Sequence, residues 1–384
     1  MKVISELHRL FSNYKEQSLN GRYIHNKHIL PLIDLLRNNL EIEEIGKSVL
    51  NKSIFTIKIG HGSNRILIWS QMHGNESTTT KALFDLINIL TSENGSYTEK
   101  IINCCTLCII PVLNPDGAEA YTRVNANKVD LNRDAQQLTQ PESMLLRKVF
   151  DQFKPNFCYN LHGQRTIFSA GKSNFPATVS FLAPAQDKDS SITDSRKKAM
   201  EIIAAMNRVL QLEIPGQVGV YDDSFNINCV GDTFQSMNIP TILFEAGHYK
   251  NDYNREKTRE LIVQAILTSL DYICKNNING NHYKEYLKIP ENQKLFFDII
   301  LRDAKYLGKI VDVAIQFDEV LFGEEIHFIP ILKKVGDLNN YYGHKEIVLD
   351  KKEISIENNS SEEGIEIVVV DKYSEKKPLI IKEF

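Results

Sequence analysis

The chain has 384 residues, of which 42% are hydrophobic and 24% charged. That is enough length for one large domain and a smaller one, and the composition is of the globular kind. The formal net charge of −4, with no Lys/Arg block interleaved with aromatics, gives no field for nucleic acid. No apolar run approaches the ~20 residues of a membrane span. The N-terminal "MKVISELHRLFSNYKEQ" lacks the apolar core and small-residue cleavage site of a signal peptide. The expectation is a cytoplasmic protein that binds neither nucleic acid nor membrane.

In chain order, residues 1–50 read as helical, because "KHILPLIDLLRNNLEIEEIG" repeats apolar residues at helical spacing. "SIFTIKIGHGSNRILIWS" reads as two strands around a Gly-containing turn, and "STTTKALFDLINILTS" as an amphipathic helix with capping Ser/Thr at its start. "TLCIIPVLNPDG" is a buried strand ending in a turn, and "PESMLLRKVFDQF" a helix with Pro141 in its first turn. "NFCYNLHG", "ATVSFLAP" and "IPTILFEAGH" are strands; "SRKKAMEIIAAMNRVLQ" and "REKTRELIVQAILTSLDYICK" are helices. This alternation over 51–275 predicts an α/β fold, a mixed, mostly parallel sheet with helices on both faces. Residues 276–289 turn polar and read as a linker. From 290 to 384, runs such as "VDVAIQFDEVLF" and "IHFIPILKKV" predict a small β-rich C-terminal domain. The cysteines at 104, 105, 108, 158, 229 and 274 read as reduced, mostly core thiols.

Four polar clusters fall at the C-terminal ends of predicted strands: "MHGNE" (72–76), "VDLNRD" (129–134), "NLHG" (160–163) and "FEAGH" (244–248). Ligands of open α/β sheets bind outside those ends. A catalytic zinc takes three N or O ligands and keeps one position open. His73 and Glu76 offer two, and His162 a third. Taken singly, His73 reads as a capping or surface histidine, Glu76 as a carboxylate favoured by a helix N-terminus, and His162 as a hydrogen-bonded strand-end residue. Those readings leave the other clusters unexplained. Glu245, after the apolar "PTILF", is a carboxylate at a buried strand end and needs a nearby cation or a structural ion pair to offset its desolvation.

"HGNE", "NPDG" (114–117), "VDLNRD", "NLHG" and "FEAG", in this order, resemble the zinc carboxypeptidase family related to carboxypeptidase A, over roughly residues 20–275. The resemblance implies one zinc per chain, held by His73, Glu76 and His162. It implies that Asn132 and Arg133 grip a substrate carboxylate, as an arginine fork is suited to do. Arg123 would polarise the scissile carbonyl, and Glu245 would activate the attacking water and protonate the leaving amine. Tyr221 is the expected mobile tyrosine, with Tyr249 and Tyr253 as rivals. Asp134 and Ala135 depart from the Asn and aromatic that many relatives carry after "NR". Asp232 falls in the specificity region, and His248 reads as a polar histidine satisfied near the site.

The function so implied is a metallocarboxypeptidase acting on a peptide or amino-acid conjugate with a free carboxylate. The alternative is an N-acyl amino acid amidohydrolase resembling aspartoacylase and succinylglutamate desuccinylase, which share "HGNE", "DLNR", a later His and a Glu. A catalytically inactive binding module is the third reading. None of the candidate residues lies in 290–384.

Overall fold

The computed structural model describes residues 2–92, 95–358, 365–370 and 376–378. Helices α1 (Lys2–Tyr14) and α2 (Asn26–Leu36) precede β1 (Glu41–Lys47), β2 (Ser53–Ile59) and β3 (Asn64–Ser70). Next come α3 (Thr78–Ser92), α4 (Ser96–Cys104), β4 (Cys105–Ile110), the short α5 (Pro115–Ala120) and α6 (Pro141–Phe153). β5 (Phe157–Gly163), β6 (Ser169–Ala170), β7 (Val179–Leu182), α7 (Asp194–Leu210), β8 (Val218–Val220), α8 (Val230–Ser236), β9 (Thr241–Ala246) and α9 (Glu256–Lys275) follow. The rest is β-structure: β10 (Asn292–Gln293), β11 (Phe296–Tyr306), β12 (Lys309–Phe322), β13 (Glu325–Gly336), β14 (Tyr342–Val348), β15 (Glu353–Asn358), β16 (Ile365–Val370) and β17 (Lys376–Pro378).

The large sheet runs β1-β2-β4-β3-β5-β9-β7-β8. Its centre, β4-β3-β5-β9, is parallel, and helices cover both faces. The expected α/β class with a β-rich C-terminal region is therefore what forms. Side chains alternate along a strand with a period of two. On β3, Ile66 and Ile68 enter the core under α3 and α9; Leu67 and Trp69 enter the opposite core, built with α6 and α8. On β5, Phe157, Tyr159 and Leu161 take the first face. On β9, Ile242, Phe244 and Ala246 do the same. Alternation then sends His162 and Glu245 to the second face. They are register partners on adjacent strands, so a histidine and a glutamate arrive side by side at the carboxyl end of the sheet.

Two local expectations differ from the structure. The helical reading of residues 1–50 overreaches, because Glu41–Lys47 is an antiparallel edge strand on β2 with a register shift at Gly46. Ile42 and Ile45 are spaced three apart, which suits a helix, but so short an apolar pattern does not separate helix from strand. Residues 276–289 are more than a polar connection. A 3-10 turn over Tyr283–Lys288 buries Tyr286, and the Gly280 amide donates to Glu201 on α7 at 2.5 Å.

The N-terminal segment is pinned by a buried ion pair. Arg259 on α9 donates from Nε and Nη2 to the two oxygens of Asp85 on α3, both at 2.6 Å, with neither side chain exposed. The same guanidinium reaches the carbonyls of Glu16 and Leu19. Asp85 also accepts from the Glu16 amide at 2.7 Å. Removing one partner strands the other charge in the core, which costs about 3–5 kcal/mol. Asp85→Ala is therefore expected to lower the stability measured by urea titration by that amount. A loss under about 1 kcal/mol, the range of a solvated surface pair, would mean that the pair does not anchor the segment.

Candidate metal centre

Behind β3 the chain turns through Gln71 and Met72 into His73. Two glycines explain how tightly. A Cβ on Gly74 would lie 1.9 Å from the Gly117 carbonyl carbon, so the "HGNE" and "NPDG" loops touch backbone to backbone. Asn114 fastens them by accepting from the Gly117 amide at 2.9 Å and donating to the Met72 carbonyl at 3.1 Å. "NPDG" carries no chemistry itself; it holds the loop that does.

Three donor groups converge from this loop and from β5. His73 Nδ1 lies 2.9 Å from Glu76 Oε1. His162 Nδ1 lies 2.9 Å from Glu76 Oε2 and 3.0 Å from His73 Nδ1. Both imidazoles are buried. Burial alone would lower the His73 pKa, but the Glu76 charge and the Asp130 hydrogen bond outweigh it and raise it. Burial lowers that of His162. Burial would raise Glu76, yet the two histidines hold it well below the carboxylate range. The two Nδ1 atoms both reach Glu76 and lie only 3.0 Å apart, and His162 Nε2 has no partner. Two nitrogens and a carboxylate, facing one point beside a cavity, fit the donor set of a catalytic zinc.

His73 Nε2 meets Asp130 Oδ1 at 3.0 Å, the outer carboxylate that orients a ligating histidine. Asp130 organises the rest of its loop. It accepts from the Asn132 amide at 2.9 Å and from Arg123 Nε at 3.0 Å. Arg123 Nη1 lies 3.5 Å from Glu76 Oε1, directly beside the cluster. Asn132 Oδ1 accepts from the Val230 amide at 3.0 Å. Exposed Arg133 donates to the Asn132 carbonyl at 2.7 Å and to Cys229 Sγ at 3.1 Å. Asp134 is buried and accepts from the amides of Thr139 and Gln140, so it braces the turn rather than facing substrate.

All eight sequence-derived candidates, His73, Glu76, Arg123, Asn132, Arg133, His162, Tyr221 and Glu245, line one cavity of about 1240 Å³. Burial, with the Glu76 charge adding, raises the Glu245 pKa well above the carboxylate range, and Glu245 Oε2 has no partner. Tyr221 sits just past β8 with its ring 5.3 Å from that of Phe168. Burial raises its hydroxyl pKa, and the Glu245 and Glu76 charges add to this. Of its rivals, Tyr253 also lines the cavity but donates to Asp298 at 2.8 Å, and Tyr249 packs on the core. Asp232 also faces the cavity; burial lifts its carboxyl to about 6. His248 stays out of the site. Its ring lies between those of Tyr253 and His344, at 4.6 and 4.2 Å, with neither nitrogen partnered.

Sequence reasoning missed two parts of the site. Asp130 supports His73, and its place two residues before Asn132 in "VDLNRD" was the signal available. The cavity is also lined by Asp298, Phe317, Glu319 and Phe328 of the C-terminal sheet, for which no motif gave warning. A second convergence of possible metal donors joins Cys104, Cys105 and Cys274. It lies at the amino end of β4, away from the cavity.

Fold and site define a class, and the comparisons agree with it. The zinc carboxypeptidase family model matches residues 32–203, a stretch that holds six of the eight candidates and ends before Tyr221 and Glu245. The resemblance to the zinc carboxypeptidase family is thereby borne out. Carboxypeptidase 2 of Trichophyton tonsurans is 27% identical over 116 residues, 30% of this chain and 21% of that protein. Gamma-D-glutamyl-L-diamino acid endopeptidase 1 of Lysinibacillus sphaericus is 38% identical over 80 residues, 19% of this chain and 20% of that protein. The chain spans between about a fifth and two fifths of the length of such curated relatives. The metallo-carboxypeptidase from Burkholderia cenocepacia shares the fold, with a TM-score of 0.52 at 17% identity over 65% of this chain and 69% of that one. Among the described residues, no helix is long and apolar enough to cross a membrane.

The cluster makes a specific demand of Asp130. Asp130→Asn keeps the shape but loses the charge that holds His73, and such outer partners are worth about 10–100-fold in metal affinity. Competition with a chelator is expected to show zinc affinity lowered by that factor, whereas His73→Ala and His162→Ala lose stoichiometric zinc. Unchanged affinity in Asp130→Asn would mean that His73 is not a ligand oriented by Asp130.

Proposed function

We propose that this chain is a zinc-dependent carboxypeptidase, hydrolysing the amide bond next to a free carboxylate in a peptide or amino-acid conjugate. One observation carries the reading: the His73–Glu76–His162 donor cluster opens on the same cavity as the unpartnered carboxylate of Glu245. Zinc held there by His73, Glu76 and His162 supplies a Lewis acid and lowers the pKa of a water towards ~7.

The chain's own residues do the rest. Arg133, exposed at the cavity mouth beside Asn132, takes the substrate's terminal carboxylate in a charge-assisted pair. Arg123, braced by Asp130, directs its guanidinium at the carbonyl oxygen and stabilises the charge that develops on it. Glu245 receives the proton of the attacking water and hands it to the leaving nitrogen. Its raised pKa suits a group that must do both near neutral pH. Tyr221 covers the cavity from the side of Glu245 and limits water. The short match to an endopeptidase of γ-D-glutamyl-L-diamino acid bonds supports keeping amino-acid conjugates, as well as peptides, among the substrates.

Glu245→Gln is nearly isosteric and leaves the donor cluster intact. Folding and zinc content are expected to persist, with kcat down by roughly 10²–10⁴-fold. Loss of zinc would make Glu245 a ligand, and near-normal turnover would remove it from the mechanism. Arg133→Ala is expected to raise KM by about ten- to a hundredfold, the equivalent of a charged hydrogen bond worth about 1.5–3 kcal/mol. Amidating the substrate carboxylate should cost the native enzyme a similar factor and the variant little more. Additive losses would show that Arg133 does not meet that carboxylate. N-acyl amino acids cleaved in place of peptides would favour the amidohydrolase alternative.

A further inference from the structure

The cavity has two unlike walls. In one, Asn132 and Arg133 bond to Val230 and Cys229 and form the proposed carboxylate clamp. The other is the hairpin of β12 and β13, which lines the cavity with Phe317, Asp318, Glu319, Val320, Phe328 and Lys333. The two strands pair along their full length, from Asp312 opposite Gly336 to Phe322 opposite Glu325. The stretch Gln316–Val320 alone makes a face about 17 Å long at ~3.3 Å per residue.

This wall is joined to the catalytic rim by buried polar bonds. Asp298 on β11 accepts from Tyr253 Oη at 2.8 Å and from the Phe317 amide at 2.7 Å. Gln316 donates to Thr166 Oγ1 at 2.5 Å, and His344 Nε2 to the Thr166 carbonyl at 2.7 Å. Thr166 lies four residues past His162. Glu319 accepts from Arg22 at 3.0 Å and from Tyr121 Oη, two residues before Arg123. Opening the wall would leave Asp298, Gln316 and Arg22 without these bonds, and each buried polar group so stranded costs about 1–3 kcal/mol. The hairpin is therefore a fixed boundary, not a lid.

We infer that the C-terminal sheet ends the path of the substrate and restricts the enzyme to short peptides and short peptide-like conjugates. The inference rests on the carboxypeptidase reading. With the terminal carboxylate at Arg133 and the scissile bond beside Glu245, the chain upstream of that bond runs into the hairpin. The 1240 Å³ of the cavity is slightly more than the ~300–1,000 Å³ of pockets for small ligands, the size that a short peptide fills. Asp318 and Lys333 face the cavity from adjoining strands and are loosely paired at 3.8 Å, both partly exposed. Such a surface pair is worth little, so the two can exchange partners for the charged upstream end of a short substrate.

The test compares two peptides that share their last three residues, a tripeptide and one of about twelve residues, on the zinc-loaded full chain. The wall predicts kcat/KM at least ~100-fold higher for the tripeptide, since the longer chain cannot place its scissile bond without a clash. In the double variant Asp318→Ala, Lys333→Ala, which trims the hairpin's cavity side, the ratio is expected to narrow severalfold. Equal kcat/KM for the two peptides in the native enzyme overturns the inference while leaving the carboxypeptidase reading in place. A native preference that the double variant leaves unaltered overturns the role given to this face of the hairpin. Hydrolysis of neither peptide overturns the carboxypeptidase reading, and the inference with it.

Discussion

Two imidazoles and a carboxylate stand within about 3 Å of each other in a buried pocket, and the rest of the site is arranged around them. Both Nδ1 atoms reach Glu76 but crowd each other at 3.0 Å, and burial penalises each net charge. A divalent cation at their focus, as we propose, would relieve both the crowding and the burial of charge. The surrounding structure reads as support for that arrangement. Asp130 fixes His73, the Gly163 amide donates to Glu76 at 2.9 Å, and the Gly74–Gly117 contact sets the angle of the loop. Small changes in any of these move a donor, not only a surface.

The sheet supplies the second level of precision. Parallel β3, β5 and β9 deliver His73, His162 and Glu245 to one end, and strict alternation decides that His162 and Glu245 share a face. Register does what a loop could not: adjacent strands hold the two side chains at a fixed offset regardless of solvent. Arg123, Asn132 and Arg133 come from the loop 121–135, where Asp130 ties Arg123 to His73 and Asp134 holds the following turn at Thr139 and Gln140. The site is thus divided between strands, which carry His162 and Glu245, and braced loops, which carry His73, Glu76, Arg123, Asn132 and Arg133. Placing sites on rigid elements in this way keeps geometry within the tolerance catalysis demands.

Much of this was legible in the residues. The alternation of apolar runs disclosed the α/β sheet, and the order of polar clusters disclosed which strand ends would meet. The eight candidates share a cavity because each sits at a strand end or in a loop that follows one. Other features carried no local signal. β1 reads as helix because Ile42 and Ile45 are spaced three apart, a spacing the strand accommodates through the register shift between Glu44 and Gly46. Tyr286 docks a segment that composition marks as a linker. His248, expected to be a satisfied polar group, lies between the rings of Tyr253 and His344, tilted to both, a contact between segments almost a hundred residues apart. The hairpin wall of the cavity was invisible for the same reason: Phe317 and Lys333 become cavity residues only through tertiary packing, which neither motif nor periodicity encodes.

The central claim is that the His73–Glu76–His162 cluster, not another donor group of the chain, is the resident zinc site. Anomalous X-ray diffraction at the zinc absorption edge, on crystals of the full chain grown with zinc, tests it directly. The account predicts one strong peak bounded by Nδ1 of His73, Nδ1 of His162 and the Glu76 carboxylate, on the floor of the cavity that holds Glu245. A strong peak among the sulfurs of Cys104, Cys105 and Cys274 with none at the histidines would contradict it.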